Sequence, residues 1–84
     1  MPTTVTPEQV ETVVCDALVQ FGPTREDLQR DATFEQLDID SLDLAELSQV
    51  VEEEFGVILK GGDVASIETV GQAIDLIVAK SSLS

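Results

Sequence analysis

The chain contains no histidine, tyrosine or tryptophan, and its one cysteine is Cys15. Without an imidazole, no serine has the partner that usually removes its proton, which excludes a self-activated serine hydrolase. Zinc sites built from histidine and cysteine are excluded because too few ligands exist. A lone cysteine forms no internal disulfide, which favours a reducing compartment. We expect Cys15 to be a small hydrophobic residue at or near the core.

Positive charge is also scarce. Four lysines and arginines face 17 aspartates and glutamates, and the formal net charge is −13. A chain of this charge repels nucleic acid and anionic membranes, so we expect neither as a partner and predict protein partners with basic patches. Because 43% of the residues are hydrophobic and recur at helical spacing, disorder is not expected.

Long apolar runs are missing as well. No stretch approaches membrane-spanning length, and the first residues lack the pattern of a signal peptide, so we expect a cytoplasmic location. Eighty-four residues predict one domain over residues 1–84, ordered over about 6–80 with frayed ends, and a monomer when free.

What the chain does have is apolar residues at spacings of three and four. They predict an all-α fold, a small bundle of three long helices and one short helix. Thr6 is the predicted cap of the first helix, Pro7 its first helical residue, and Gln9 the partner of Thr6 in a capping box. The helix is predicted to stop at Gly22-Pro23. Its predicted buried stripe is Val10, Val14, Ala17, Leu18 and Phe21.

The second helix is predicted from Ser41 to Phe55, ending at Gly56, with Asp40 or Ser41 as its cap. Residues 22–40 before it form a long connection with a short turn near residues 25–28. A loop of this length should be pinned by apolar side chains. The candidates are Leu28, Phe34, Leu37 and Ile39.

After the second helix we expect a buried loop, Val57-Ile58-Leu59, and a flexible segment, Lys60-Gly61-Gly62. One short helical turn is predicted over Asp63 to Ile67. Thr69 and Gln72 form a second capping pattern that opens the last helix, which is predicted to end near Lys80. Val70, Ala73, Ile74 and Ile77 should face inward.

The region around Ser41 is the candidate functional site. A calcium loop over Asp38, Asp40 and Asp43 is rejected, because Leu42 occupies a ligand position and Gln49 replaces the required glutamate. What remains is an accessible hydroxyl at a helix start between acidic residues.

The stretch Asp40-Ser41-Leu42-Asp43 resembles the phosphopantetheine-attachment motif of acyl carrier proteins. The resemblance continues through Glu46-Leu47 and Glu52-Glu53-Glu54-Phe55-Gly56 to residues 67–70 and 73–77, and so covers most of the chain. It implies that a phosphopantetheinyl transferase moves 4′-phosphopantetheine from coenzyme A onto Ser41, with Asp40 supporting. It also implies a carrier without catalysis of its own, whose arm holds acyl groups as thioesters in fatty acid or polyketide synthesis.

The resemblance further implies a docking surface on the second helix for the ketosynthase, acyltransferase and other synthase enzymes. The candidate residues are Leu42, Asp43, Ala45, Glu46, Gln49, Glu52 and Glu53. The opposite side is first of all a core, and an acyl chain sheltered by the protein would lie among its residues. These are Leu44, Leu47, Val51, Phe55, Leu59, Ile67, Ala73 and Ile74.

The chain departs from the family pattern twice. Asp38 stands where the family often has glycine, and Lys60-Gly61-Gly62 stands where it often has proline and acids. Two alternative functions stay open at this point. One is a carrier of aminoacyl or peptidyl groups on the same fold, and the other is an acidic helical interaction module with an inert Ser41.

Overall fold

A computed structural model describes residues 6–82 of the chain. Three long helices, α1 (Pro7–Val19), α2 (Ser41–Phe55) and α4 (Val70–Ser82), are joined by a 3-10 turn (Arg25–Asp27) and a short helix, α3 (Gly61–Ser66). Helix α1 packs against both α2 and α4. The predicted frayed arm at residues 1–5 and the last two residues lie outside the described chain.

Each long helix begins at a capping box. The Thr6 side chain accepts from the Gln9 amide at 3.2 Å, and the Thr69 side chain accepts from the Gln72 amide at 3.1 Å. Asp40 caps α2 in the same way. These side chains satisfy amides that the first helical turn leaves without a partner, so the predicted starts of α1, α2 and α4 are confirmed.

The core lies where the inward stripes of the long helices meet. Its fully covered members include Val10, Val14, Leu18, Leu47, Val51, Val70, Ile74 and Ile77. Cys15 is 4% exposed, and burial raises the pKa of its thiol. Cys15 is therefore a core residue, as predicted, and its thiolate is disfavoured.

The long connection before α2 is held by backbone bonds to the start of α4. The Phe34 amide donates to the Glu68 carbonyl at 3.0 Å, and the Val70 and Gly71 amides donate to the Ala32 and Arg30 carbonyls. Thr33 and Thr69 form an isolated antiparallel bridge. The apolar side chains predicted to anchor this connection do pack inward. Leu28, Phe34 and Ile39 are buried, and Leu37 is half-buried.

Several predicted boundaries and burials are wrong. Helix α1 ends at Val19, so Phe21 falls in the following turn and is only half-buried. Phe55 is likewise half-buried, although both phenylalanines pack against the core as their spacing predicts. Ile58 is 62% exposed, because the loop after Gly56 turns that side chain outward while Val57 is buried.

Helix α3 begins earlier than predicted, whereas α4 agrees with the prediction. Helix α3 begins at Gly61, so the two glycines predicted to be a flexible segment form its first turn. Asp63 supports this start, because its carboxylate accepts from the Lys60 amide at 3.0 Å. Helix α4 ends at Ser82, two residues past Lys80, in agreement with the predicted end near Lys80.

Candidate functional site at the start of α2

Ser41 is the first helical residue of α2, and its side chain is exposed. The cap is Asp40, whose Oδ1 accepts from the Asp43 amide at 3.0 Å. In return, the Asp43 carboxylate accepts from the Asp40 amide at 3.4 Å. Because Asp40 does the capping, the Ser41 hydroxyl is not needed to terminate the helix and remains available for chemistry.

The segment before Ser41 is held in place by a buried side chain and a backbone hydrogen bond. Ile39 is buried, and its amide donates to the Phe34 carbonyl at 2.9 Å. Asp38 next to it has φ of +57°, the left-handed conformation. Aspartate tolerates this conformation better than most residues but glycine tolerates it best. The backbone therefore explains why glycine suits position 38, where this chain carries aspartate.

We predict that Asp38→Gly is more stable than Asp38→Ala by about 1 kcal/mol, because only glycine adopts the left-handed conformation without steric cost. Both variants remove the same carboxylate, so the comparison cancels the change in charge. Urea unfolding midpoints at equal slope measure the difference. Equal midpoints would mean that residue 38 does not hold this conformation.

A cleft of about 630 Å³ opens beside Ser41, between the start of α2 and α3. Ser41 and Asp40 lie at its α2 side, and most of the remaining lining is apolar. The lining residues are Ile39, Asp40, Ser41, Leu44, Ala45, Ser48, Leu59, Gly61, Val64, Ala65 and Ile67. An apolar chain attached at Ser41 has a place to lie without crossing the packed core.

The structure divides the residues that the sequence grouped as an acyl pocket. Leu44, Leu59 and Ile67 line the cleft. Leu47, Val51, Ala73 and Ile74 are sealed in the core, and Phe55 is not among the lining residues. Sequence reasoning missed the lining by Val64, Ala65 and Ser48. Val64 lies three residues before Ile67, so extending the helical spacing backwards would have found it.

The predicted docking residues fall on the outward side of α2. Leu42 is 75% exposed, and Ala45, Glu46, Gln49, Glu52 and Glu53 are exposed as well. Asp43 differs, because it is half-buried and its carboxylate takes part in the capping box. The six exposed residues are called the outer face of α2 below. This face carries three carboxylates and, beside Ser41, one bare leucine.

Asp40 offers a test that separates capping from charge. We expect Asp40→Ala to lose about 1 kcal/mol of stability with the cap. Asp40→Asn should lose little, because its amide oxygen still accepts from the Asp43 amide. We predict that both variants stay folded but accept phosphopantetheine much more slowly, measured by intact mass over time. If Asp40→Asn accepts phosphopantetheine at the wild-type rate, the charge of Asp40 has no role and the residue acts only as a helix cap.

Other kinds of site receive no support from the described residues. Across residues 6–82, no group of three or more cysteine, aspartate and glutamate side chains could hold a metal ion. None of the helices in that range is long and apolar enough to span a membrane.

Known proteins are similar to this chain along most of its length. Residues 8–77 match the family described as "Phosphopantetheine attachment site". The chain is 40% identical over 74 residues to proteins named "Acyl carrier protein" from Nitratidesulfovibrio vulgaris, strains DP4 and Hildenborough. Each match covers 87% of this chain and 93% of the relative.

A solved structure supports the fold. The chain is similar to the acetyl actinorhodin acyl carrier protein from Streptomyces coelicolor, with a TM-score of 0.71 and 23% identity. The similarity covers 99% of this chain and 98% of that one. The predicted all-α bundle is thereby confirmed.

Proposed function

The chain belongs to the acyl carrier protein family, and we propose that Ser41 is the residue that carries its 4′-phosphopantetheine arm. Proteins of this family are modified by a phosphopantetheinyl transferase and work with synthase enzymes. One observation carries the proposal: the exposed Ser41 hydroxyl stands at the first residue of α2, beside a largely apolar cleft. Attachment needs an accessible hydroxyl with room around it, and Ser41 fits.

The Ser41 oxygen attacks the pantetheine-bearing phosphorus of coenzyme A, the pyrophosphate P–O bond breaks, and adenosine 3′,5′-bisphosphate leaves. The chain has no histidine to take the serine proton, and on this proposal the transferase provides the base. When attached, the arm supplies a terminal thiol that holds an acyl group as a thioester. On this proposal the protein performs no catalysis of its own and is a substrate for its partners.

The cleft beside Ser41 is the proposed shelter for the acyl chain. Its apolar lining from Leu44, Leu59, Val64 and Ile67 would remove hydrocarbon from water, worth about 0.8 kcal/mol for each buried CH₂ group. The alternative cargo, an aminoacyl or peptidyl group, brings polar atoms that this lining does not satisfy. The lining therefore favours an acyl chain, with fatty acid and polyketide synthesis as the candidate pathways.

The cargo is tested on protein purified from its own host. Intact mass is measured before and after neutral hydroxylamine, which cleaves thioesters and leaves the arm in place. We expect a mass loss that matches a hydrocarbon or keto acyl group. Loss of an amino acid or peptide mass would select the alternative carrier. Protein that lacks the arm both in the host and after incubation with coenzyme A and a broad-specificity transferase would select the inert interaction module.

The outer face of α2 is the proposed docking surface, and charge reversal tests it. Replacing Glu46, Glu52 and Glu53 by lysine should slow modification by the transferase roughly tenfold at low salt, because interface charges act mainly on association rate. The difference should shrink as salt screens the charges. Helicity should stay unchanged, since all three side chains are exposed.

The matched control reverses three exposed carboxylates away from α2, at Glu11, Glu35 and Glu68. It changes net charge by the same amount but leaves the outer face intact. We expect it to be modified nearly as fast as wild type. Equal slowing in both triple variants would show that overall charge matters and that this face has no special part.

A further inference from the structure

Helix α3 forms one wall of the cleft but has little support of its own. It is six residues long, none of its residues is buried, and it opens with Gly61 and Gly62. Helices this short are not stable in water by themselves, and glycine has a low helix propensity. The position of α3 must therefore depend on contacts with the rest of the protein.

One such contact is an ion pair between α3 and α4. The Lys80 ammonium lies 3.0 Å from an Asp63 carboxylate oxygen, and the two side chains are only 29% and 27% exposed. A second ion pair joins Asp75 on α4 to Arg30 in the long connection, and its side chains are 70% and 54% exposed. Water therefore screens the attraction between Lys80 and Asp63 less than it screens a more exposed pair.

Asp63 links this ion pair to the start of α3. The same carboxylate that meets Lys80 accepts from the Lys60 amide, which closes the first turn. The Lys60 amide, and after it the Lys80 ammonium, hold the pKa of Asp63 below its usual value. Lys80 lies on a well-packed part of α4, because Ile77 on the preceding turn is fully buried.

The two residues after Asp63 face the cleft. Val64 and Ala65 both belong to its lining, opposite Leu44 and Ser41 on α2. An outward movement of α3 would widen the cleft and expose more of its apolar lining to water. Neither Asp63 nor Lys80 lines the cleft, so they would act by holding the wall rather than by touching the cargo.

We propose that the Asp63–Lys80 ion pair holds α3 in place as the wall of the cleft and so determines how well an attached acyl chain is sheltered from water. Asp63 and Lys80 are positioning residues for the carrier function, and the proposal rests on that proposed function. It predicts two separate effects of breaking the pair, one on α3 itself and one on the cargo.

The first effect is measured on the unmodified protein by amide hydrogen exchange. In Lys80→Gln, exchange of the α3 amides should be roughly threefold to tenfold faster, with α1 unchanged. Asp63→Asn should behave alike, because its amide oxygen still accepts from Lys60 while the charge is lost. Arg30→Gln is the matched control, since it also removes one cation and one ion pair of α4, and should leave α3 exchange at the wild-type rate.

The second effect is measured on protein loaded with an acetyl or an octanoyl group. Hydroxylamine attack on the octanoyl thioester should be slower than on the acetyl thioester in wild type, because only the longer chain reaches into the cleft. Lys80→Gln should remove most of that difference, and Arg30→Gln should keep it. A general loss of stability would also lower this difference, so all variants are compared at a temperature well below their unfolding midpoints.

Wild-type exchange rates in α3 of Lys80→Gln would overturn the proposal. Faster exchange with an unchanged octanoyl to acetyl ratio would overturn it as well, because α3 would then move without exposing cargo. If the wild-type protein accepts no arm, the proposed function is wrong, and the proposed sheltering of an acyl chain is wrong as well. The exchange measurement would still report separately on whether the ion pair holds α3.

Discussion

Ser41→Ala is expected to abolish attachment of phosphopantetheine. Wild-type protein incubated with coenzyme A and a broad-specificity transferase should gain the mass of the arm, and the variant should gain nothing. The reason is chemical, because alanine lacks the oxygen that forms the phosphodiester. The variant should fold normally, because α2 is capped by Asp40 rather than Ser41 and the Ser41 side chain is exposed. We expect a stability change within about 0.5 kcal/mol.

Ser48→Ala is the matched control for this experiment. Ser48 lies on the same helix and lines the same cleft, but its hydroxyl donates to the Leu44 carbonyl at 3.0 Å. The variant should be modified like wild type. Arm attachment to Ser41→Ala at the wild-type level would show that another residue is the acceptor and that the proposed site is wrong.

Leu47→Ala should be among the most destabilising single changes in α2. The side chain is 1% exposed at the centre of the core, and removing it should cost about 2–5 kcal/mol. Domains of this kind have stabilities of roughly 5–15 kcal/mol, and small ones lie near the lower end. The midpoint of thermal unfolding should therefore fall by roughly 10 °C or more.

Two further variants calibrate this result. Leu42→Ala deletes the same atoms from the outer face, where Leu42 is 75% exposed, and should stay within about 0.5 kcal/mol of wild type. Phe55→Ala should fall between the two, because Phe55 is half-buried. An unfolding midpoint of Leu47→Ala within a few degrees of wild type would show that α2 packs in a different register.

Helix α2 shows how much of the site the sequence determines. Asp40 and Ser41 at the start and Gly56 after the last apolar residue were enough to predict both ends of the helix, and the structure then showed that Asp40 is the cap and that Asp43 completes a capping box. Each of these signals works within one helical turn. The inward stripe through Leu47 and Val51 follows from the same short-range spacing, since residues three and four apart share a face.

The same local signals were insufficient at Phe55 and Ile58. Both belong to apolar patterns that predict burial, yet one is half-buried and the other is 62% exposed. Periodicity indicates which side of an element points inward. How far each side chain is covered depends on what the neighbouring elements bring against it. At the end of α2 and in the loop after it, the helical spacing does not show how far the neighbouring elements cover each side chain.

What the sequence determined by itself is therefore the set of long helices, their starts, their inward faces and the exposed hydroxyl of Ser41. The tertiary structure decided the path of the long connection, through the bond from Phe34 to Glu68, and it brought Asp63 on α3 next to Lys80 on α4. Caps and helical stripes join residues at most one turn apart, so the order of residues specifies them. The cleft beside Ser41 is made by segments far apart in the chain, and only their packing brings its two walls together.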